Sequence, residues 1–324
     1  MLDDGQLSEL ERQAVELAWG AGNILLEHYQ GTLEVEYKDK ERERDPVTQA
    51  DRRAEAYLTE EIQRRFPGHG IVGEEGAGEG TEAAELTWVL DPLDGTTNFL
   101  NGLPVFASSI ALLQRGAPVV AAVFLPWPGA QGGRVLHAHR GGGSFDGQRP
   151  LRVFRAERPL SGRLVSVPAG LGWAFRLRRP LRDRPGEPRV GGSIAYELAL
   201  VADGVYQYGL FGAPHAWDVA AGILLVQEAG GAVLTRRRGR RGWQPFATFA
   251  ATEGSPPLGQ KELREWQAPL LAGDAALTQF VADHLQPRRR PWLRLLRRLR
   301  GLFHRPSSEG QRGSQPRSRS EPPP

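Results

Sequence analysis

Residues 88–99, Trp-Val-Leu-Asp-Pro-Leu-Asp-Gly-Thr-Thr-Asn-Phe, constrain this chain more than any other stretch. The apolar run Trp88-Val89-Leu90 reads as a buried strand over residues 85–91 that stops at Asp91-Pro92. It leads straight into two carboxylates three residues apart, Asp91 and Asp94, and Gly95-Thr96-Thr97 behind them reads as a helix start. Two hard oxygen donors at that spacing suit Mg²⁺. The free N–H groups and positive dipole end of a helix start suit a phosphate. The same residues also fit a plain Asp-Gly turn, and the segment alone does not decide between the two.

Three other segments place carboxylates in comparable positions. Ile71-Val72-Gly73-Glu74-Glu75 ends an apolar pair in two acids, which also reads as a solvated charge pair. In His215-Ala216-Trp217-Asp218-Val219-Ala220-Ala221-Gly222 an aspartate sits in the first turn of an apolar helix, where simple capping accounts for it. Asp45-Pro46-Val47-Thr48-Gln49-Ala50-Asp51 reads as a capped helix start. His215 is a metal ligand by type, but the other candidate ligands are all oxygens and histidine suits softer metals.

Around these segments, apolar spacing predicts helices over residues 7–29, 48–66, 194–202 and 217–229. It predicts strands over 106–113 and 118–125, joined as a hairpin, and over 135–140, 143–145 and 205–210. Residues 37–44 read as a charged loop or hairpin, and Gly141-Gly142-Gly143 as a loop. With no cysteine among 324 residues, disulfides, thiolate metal sites and cysteine nucleophiles are excluded. The N-terminus lacks the basic and apolar regions of a signal peptide, and no apolar run is long enough to span a bilayer, so the chain reads as soluble and cytoplasmic. Eleven arginines and two glutamates give residues 287–324 a charge of +9, so the overall +3 leaves −6 on the rest. Trp292–Phe303 alternates apolar and basic residues as a short amphipathic helix would, and 306–324 carries a disorder composition. Such a tail fits either a helix packed on the body with a solvated remainder or a contact with anionic membrane surfaces or nucleic acid.

Asp91-Pro-Leu-Asp94-Gly-Thr-Thr-Asn-Phe99 resembles the central signature of the inositol monophosphatase family. Gly73-Glu74-Glu75 upstream, Trp217-Asp218-Val219-Ala220 downstream and Asp45-Pro-Val-Thr-Gln-Ala-Asp51 near the start match its other motifs in order, over roughly residues 5–285. The resemblance implies a layered α/β fold, an αβαβα sandwich. Residues 1–150 would form an N-terminal half with a large antiparallel sheet, and residues 151–286 a C-terminal half supplying Asp218, followed by the 287–324 tail. It implies Mg²⁺-dependent hydrolysis of a small phosphate monoester, and dimers. It assigns the metal to Glu74, Asp91, the carbonyl of Leu93, Asp94 and Asp218, and the phosphate to the N–H groups of Gly95 and Thr96. Catalysis falls to Glu74 and to Thr96 paired with Asp51, which orients the attacking water. Lys40 stands at the spacing of the family's lysine in a mobile loop beside a third metal, with Lys38 as its rival. Substrate contacts fall on Asp94, Gly192, Ser193, Ile194 and position 211. Phe211 departs from the glutamate of inositol-specific members, because a phenyl ring accepts no hydrogen bond from a sugar hydroxyl. Inositol monophosphate or a similar polyol or sugar phosphate is the expected substrate. The alternatives are 3′-phosphoadenosine 5′-phosphate or histidinol phosphate, and, in another class, a non-catalytic scaffold that works through its tail.

Overall fold

The first helix runs from Asp4 to His28. Asp3 caps it: its carboxylate accepts the Gln6 N–H at 2.8 Å, and the Gln6 amide oxygen accepts the Asp3 N–H at 3.0 Å. Two helix-end donors are thereby satisfied at once. Leu7, Leu10, Ala14, Leu17, Ala21 and Leu25 recur at three- and four-residue steps and bury one face. The second helix, Gln49–Arg65, starts from a reciprocal box between Thr48 and Asp51 and buries Ala50, Ala54, Leu58 and Ile62.

Both faces cover one side of a seven-stranded sheet. Its order is Gly70–Gly73, Leu86–Asp94, Ala107–Gln114, Ala117–Pro126, Gly133–His139, Gly143–Asp146 and Arg149–Pro150. The first pair is parallel and the rest are antiparallel. Side-chain alternation sorts the two faces. Trp88, Leu90, Ile110, Leu112, Val120 and Phe124 pack under the two helices. Val89, Ala111, Leu113, Ala121 and Val123 join the cluster on the other side, formed with helices Ile194–Ala202 and Ala216–Glu228. Those two helices are buried almost all round, as a middle layer requires. Beyond them lies a six-stranded sheet in the order Glu187–Arg189, Leu164–Ser166, Tyr206–Phe211, Leu270–Gly273, Ala232–Thr235 and Gln244–Pro245. Its outer face, including Val165, Leu210 and Leu271, closes against Leu277 and Val281 of helix Ala275–His284. The product is a five-layer α/β/α/β/α sandwich.

This computed structural model describes residues 2–29, 31, 35–39, 44–74, 76, 84–128, 131–236, 242–250 and 258–288, the side chains of 35–47 and Trp173 excepted. The described residues up to Gln286 form one compact unit. Of residues 37–44, expected as a charged loop or hairpin, 40–43 lie outside the described residues, and Val35–Asp39 pairs antiparallel with Arg44–Thr48. Among the described residues no helix is long and apolar enough to cross a membrane.

One element differs from the sequence reading. The central strand does not stop at Asp91-Pro92 but runs from Leu86 to Asp94. Proline cannot donate to a ladder, yet a bulge tolerates it. The pairing to Ala107–Gln114 is irregular between Asp91 and Asp94, the stretch that holds Pro92.

An ionic contact ties the first helix to the sheet. Glu11, 8% exposed, lies 2.6 Å from His137 Nδ1 and 2.5 Å from His139 Nδ1, and Asp4 lies 3.3 Å from His139 Nε2. Burial alone would raise the Glu11 pKa, but its bonds to His137 and His139 hold it below the ordinary 4.5. Burial alone would lower the His139 pKa, but Glu11 and Asp4 hold it above the ordinary 6.5. Stability from a lowered carboxylate is lost as pH falls through its folded pKa, and stability from a raised imidazole is lost as pH rises through its own. The contact therefore stabilises most between pH 4.5 and 6.5. Glu11→Gln is expected to cost about 2 kcal/mol in that window, with the loss shrinking on either side. Thermal midpoints of both proteins from pH 4 to 9 test this, and a difference flat in pH would refute it.

Candidate active site

The bulge decides where the two aspartates point. On a regular strand, residues three apart face opposite sides. Here Asp91 pairs with Ser109 and Asp94 with Ala107, three steps on one strand against two on the other. The extra residue returns Asp94 to the side of Asp91, while Leu93 buries with Leu90 under the first two helices. Gly95 follows at φ +93°, where a Cβ would stand 3.0 Å from both Ser193 Cβ and the Val105 carbonyl, so only glycine fits without strain. The chain then enters the short helix Thr96–Leu100.

Asp94 reaches the middle layer directly. Its Oδ2 accepts the Ser193 hydroxyl at 2.9 Å and the Ala195 N–H at 2.5 Å. Asp91 is 1% exposed and its Oδ1 has no hydrogen-bond partner among the described residues. Burial pushes its pKa well above the carboxylate range, and the charges of Glu74, Asp94, Asp218 and Asp51 push it further. Asp94 is raised in the same way, by burial and then by Asp218, with the Ala195 and Ser193 bonds opposing. Asp218 accepts the His215 N–H at 2.8 Å, which is the capping bond of its helix. Burial still pushes it up to about 7, and Glu74 contributes. Capping and clustering are thus both true of Asp218.

Asp51 stands beside this group, buried, with Oδ2 accepting the Thr48 N–H at 2.8 Å and the Thr48 hydroxyl at 2.5 Å. Thr96 Oγ1 lies 3.0 Å from the Leu93 carbonyl and 3.4 Å from Asp51 Oδ1. With a single proton, the hydroxyl bonds Leu93 more closely and keeps Asp51 as a second acceptor. The N–H groups at the start of a helix have no intrahelical acceptor, and those of Thr96 and its neighbour Gly95 lie beside the acidic turn.

A hard divalent cation fits this chemistry. The side-chain donors are carboxylate oxygens, and a buried carboxylate with an orphan oxygen among other acids is costly without a positive partner. The spacing is wider than the chemistry alone suggests: among the described residues no three His, Cys, Asp or Glu side chains stand in the closed arrangement of a coordinated ion.

Gly192, at φ +83°, Ser193 and Ile194 lie across from the acidic turn, with Ser193 both capping its helix and bonding Asp94. Phe211, 3% exposed, packs its ring over Gly209 in the apolar cluster that also takes in Ala195 and, at its margin, Ile194. His215 stacks on Trp217, with ring centroids 4.4 Å apart, and lies 2.7 Å from the Gln267 amide. Lys40 and the basic stretch from residue 289 lie outside the described residues. Sequence reasoning missed the Ala195 N–H, Asn98 and Glu197. The signal for Glu197 was present, since it is the one charged residue in the apolar helix Ile194–Ala202.

Residues 6–271 match the inositol monophosphatase family. A protein of Rhizobium meliloti (strain 1021) named inositol-1-monophosphatase is 42% identical over 199 residues, 58% of this chain and 71% of its own. The Nus factor SuhB of Escherichia coli (strain K12) is 38% identical over 236 residues, 68% of this chain and 82% of its own. Among solved structures, the extragenic suppressor protein SuhB of Bartonella henselae superposes with a TM-score of 0.66 at 29% identity, covering 83% of this chain and 95% of that one. The chain therefore belongs to the inositol monophosphatase family and is a phosphoric monoester hydrolase.

Proposed function

We propose that the chain hydrolyses a small phosphate monoester with Mg²⁺, and that the ester is a polyol or sugar phosphate of the inositol monophosphate kind. The observation that carries this reading is Asp91, a buried carboxylate with an unpartnered oxygen and acidic neighbours. Glu74, Asp91, Asp94, Asp218 and the Leu93 carbonyl are the groups that would hold the metal. When bound, Mg²⁺ supplies charge neutralisation of the phosphate, activation of a water and stabilisation of the leaving alkoxide.

The chain's own residues do the positioning. The Gly95 and Thr96 N–H groups hold phosphate oxygens at the start of the short helix. Thr96 Oγ1, donating to Leu93 or Asp51, offers its lone pairs to a water and fixes the direction of attack. Asp51, pinned by Thr48, keeps that hydroxyl in place. The alcohol half of the ester lies toward Gly192, Ser193 and Ile194. With a phenyl ring at position 211, which accepts no hydrogen bond, hydroxyl recognition falls on Ser193 and on backbone groups rather than on a carboxylate there.

A second reading comes from the tail. Relatives at 38% and 35% identity bear the name Nus factor SuhB, and residues 287–324 carry +9. Weak, salt-sensitive contact with nucleic acid or anionic lipid accounts for that charge. The buried carboxylates are not explained by a scaffold alone, so this contact would accompany hydrolysis rather than replace it.

Asp91→Asn is expected to abolish Mg²⁺-dependent phosphate release and the rise in thermal midpoint on adding Mg²⁺, without lowering the metal-free midpoint; retained turnover removes the central assignment. Thr96→Val and Asp51→Asn should each lower kcat about 100-fold with little change in KM, and a pure KM effect would contradict a role in orienting water. A panel of inositol 1-phosphate, 3′-phosphoadenosine 5′-phosphate, histidinol phosphate and fructose 1,6-bisphosphate should show the inositol ester turned over fastest. Deleting residues 287–324 should leave phosphate release intact while reducing retention on RNA or anionic liposomes at low salt; unchanged retention on both sinks the tail reading.

A further inference from the structure

The loop between Arg189 and helix Ile194–Ala202 is gripped from two sides at one residue. The Gly191 N–H donates to Glu197 Oε1 at 2.8 Å, and the Gly191 carbonyl accepts from Asn98 Nδ2 at 2.7 Å. Asn98 spends its second proton on the Val105 carbonyl, also at 2.7 Å. One amide therefore binds the segment after the acidic turn to the loop of the smaller sheet. Glu197, 5% exposed, is an acid in an otherwise apolar helix. The packing leaves no slack: a Cβ at Gly191 would meet Glu197 Oε1 at 2.8 Å, and one at Gly192 would meet Asn98 Nδ2 at 3.1 Å.

The residues just beyond this grip, Ser193 and Ala195, are the ones that bond Asp94. A buried carboxylate and an amide with both protons committed are more than a loop needs merely to stay folded. Burying Glu197 costs free energy that its bond to Gly191 N–H only partly offsets. An arrangement of this kind is retained where a segment must be held within a fraction of an ångström.

We infer that Asn98 and Glu197 are positioning residues that fix the Gly192–Ile194 loop against Asp94 and thereby set which alcohol the site accepts. The inference rests on the phosphatase reading above. It separates two halves of the substrate: the grip acts on the alcohol and leaves the phosphate end to the acidic turn and the short helix. An ester whose leaving group makes no hydroxyl contacts should not sense the loss of the grip.

The test compares inositol 1-phosphate with p-nitrophenyl phosphate, using the full chain with Mg²⁺. Asn98→Ala and Glu197→Ala are expected to raise KM for inositol 1-phosphate roughly 10-fold or more, with kcat changed far less, and to leave p-nitrophenyl phosphate kinetics within about twofold. Glu197→Gln keeps an acceptor oxygen for the Gly191 N–H and should restore wild-type KM, which separates the hydrogen bond from the charge and from folding. Equal losses on both esters, or no loss on either, would overturn the positioning role. Wild-type silence toward both esters would instead overturn the phosphatase reading beneath it.

Discussion

One extra residue in the central strand governs the chemistry of this molecule. Between Asp91 and Asp94 the strand takes three steps while its partner takes two. Without that bulge, Asp94 would point under the first two helices, where Leu90 and Phe99 are buried, and Asp91 would face the middle layer alone. With it, both acids face the middle layer, and Leu93 turns its carbonyl to the Thr96 hydroxyl. The left-handed Gly95 then starts the short helix at once. Pro92 is tolerated because the strand is already irregular there.

The acids so gathered are unfavourable neighbours. Burial and mutual repulsion raise the pKa values of Asp91, Asp94 and Asp218 together. A fold that carries such a cluster must stabilise itself elsewhere. It does so with two middle helices buried on nearly every side and with sheets whose alternate residues both find apolar cover. The site concentrates strain that the surrounding layers absorb, a common division between working residues and scaffold.

Much of this was legible in the sequence, for identifiable reasons. Four helices, Asp4–His28, Gln49–Arg65, Ile194–Ala202 and Ala216–Glu228, followed from apolar spacing, and Ile194–Ala202 was bounded correctly because Ser193 is a capping residue and the helix is apolar but for Glu197; Ala275–His284 was not read. The end of the central strand was misread because Pro92 is a local stop signal, whereas a bulge is a property of two strands in register. Asp218 looked like a cap and is one, but its proximity to Asp94 depends on a helix more than a hundred residues downstream docking against the first sheet. Phe211 was placed by counting along the chain; strand alternation sets its ring in the apolar cluster of the middle layer, where Ala195 and Ile194 also pack. Glu197 was visible as an odd charge in an apolar helix, but its partner Gly191 is found only once the loop folds back.

On the proposed function, the groups that would hold the phosphate and those that would meet the alcohol belong to different sheets. Asp91, Asp94 and Thr96 belong to the large sheet and the turn that leaves it, whereas Gly191–Ser193 follows the edge strand Glu187–Arg189 of the small one. Changes that reshape one need not disturb the other. On that reading, a lineage built on this scaffold would be free to exchange the alcohols it processes by drift in a short glycine-rich loop, while the reaction itself was inherited unchanged.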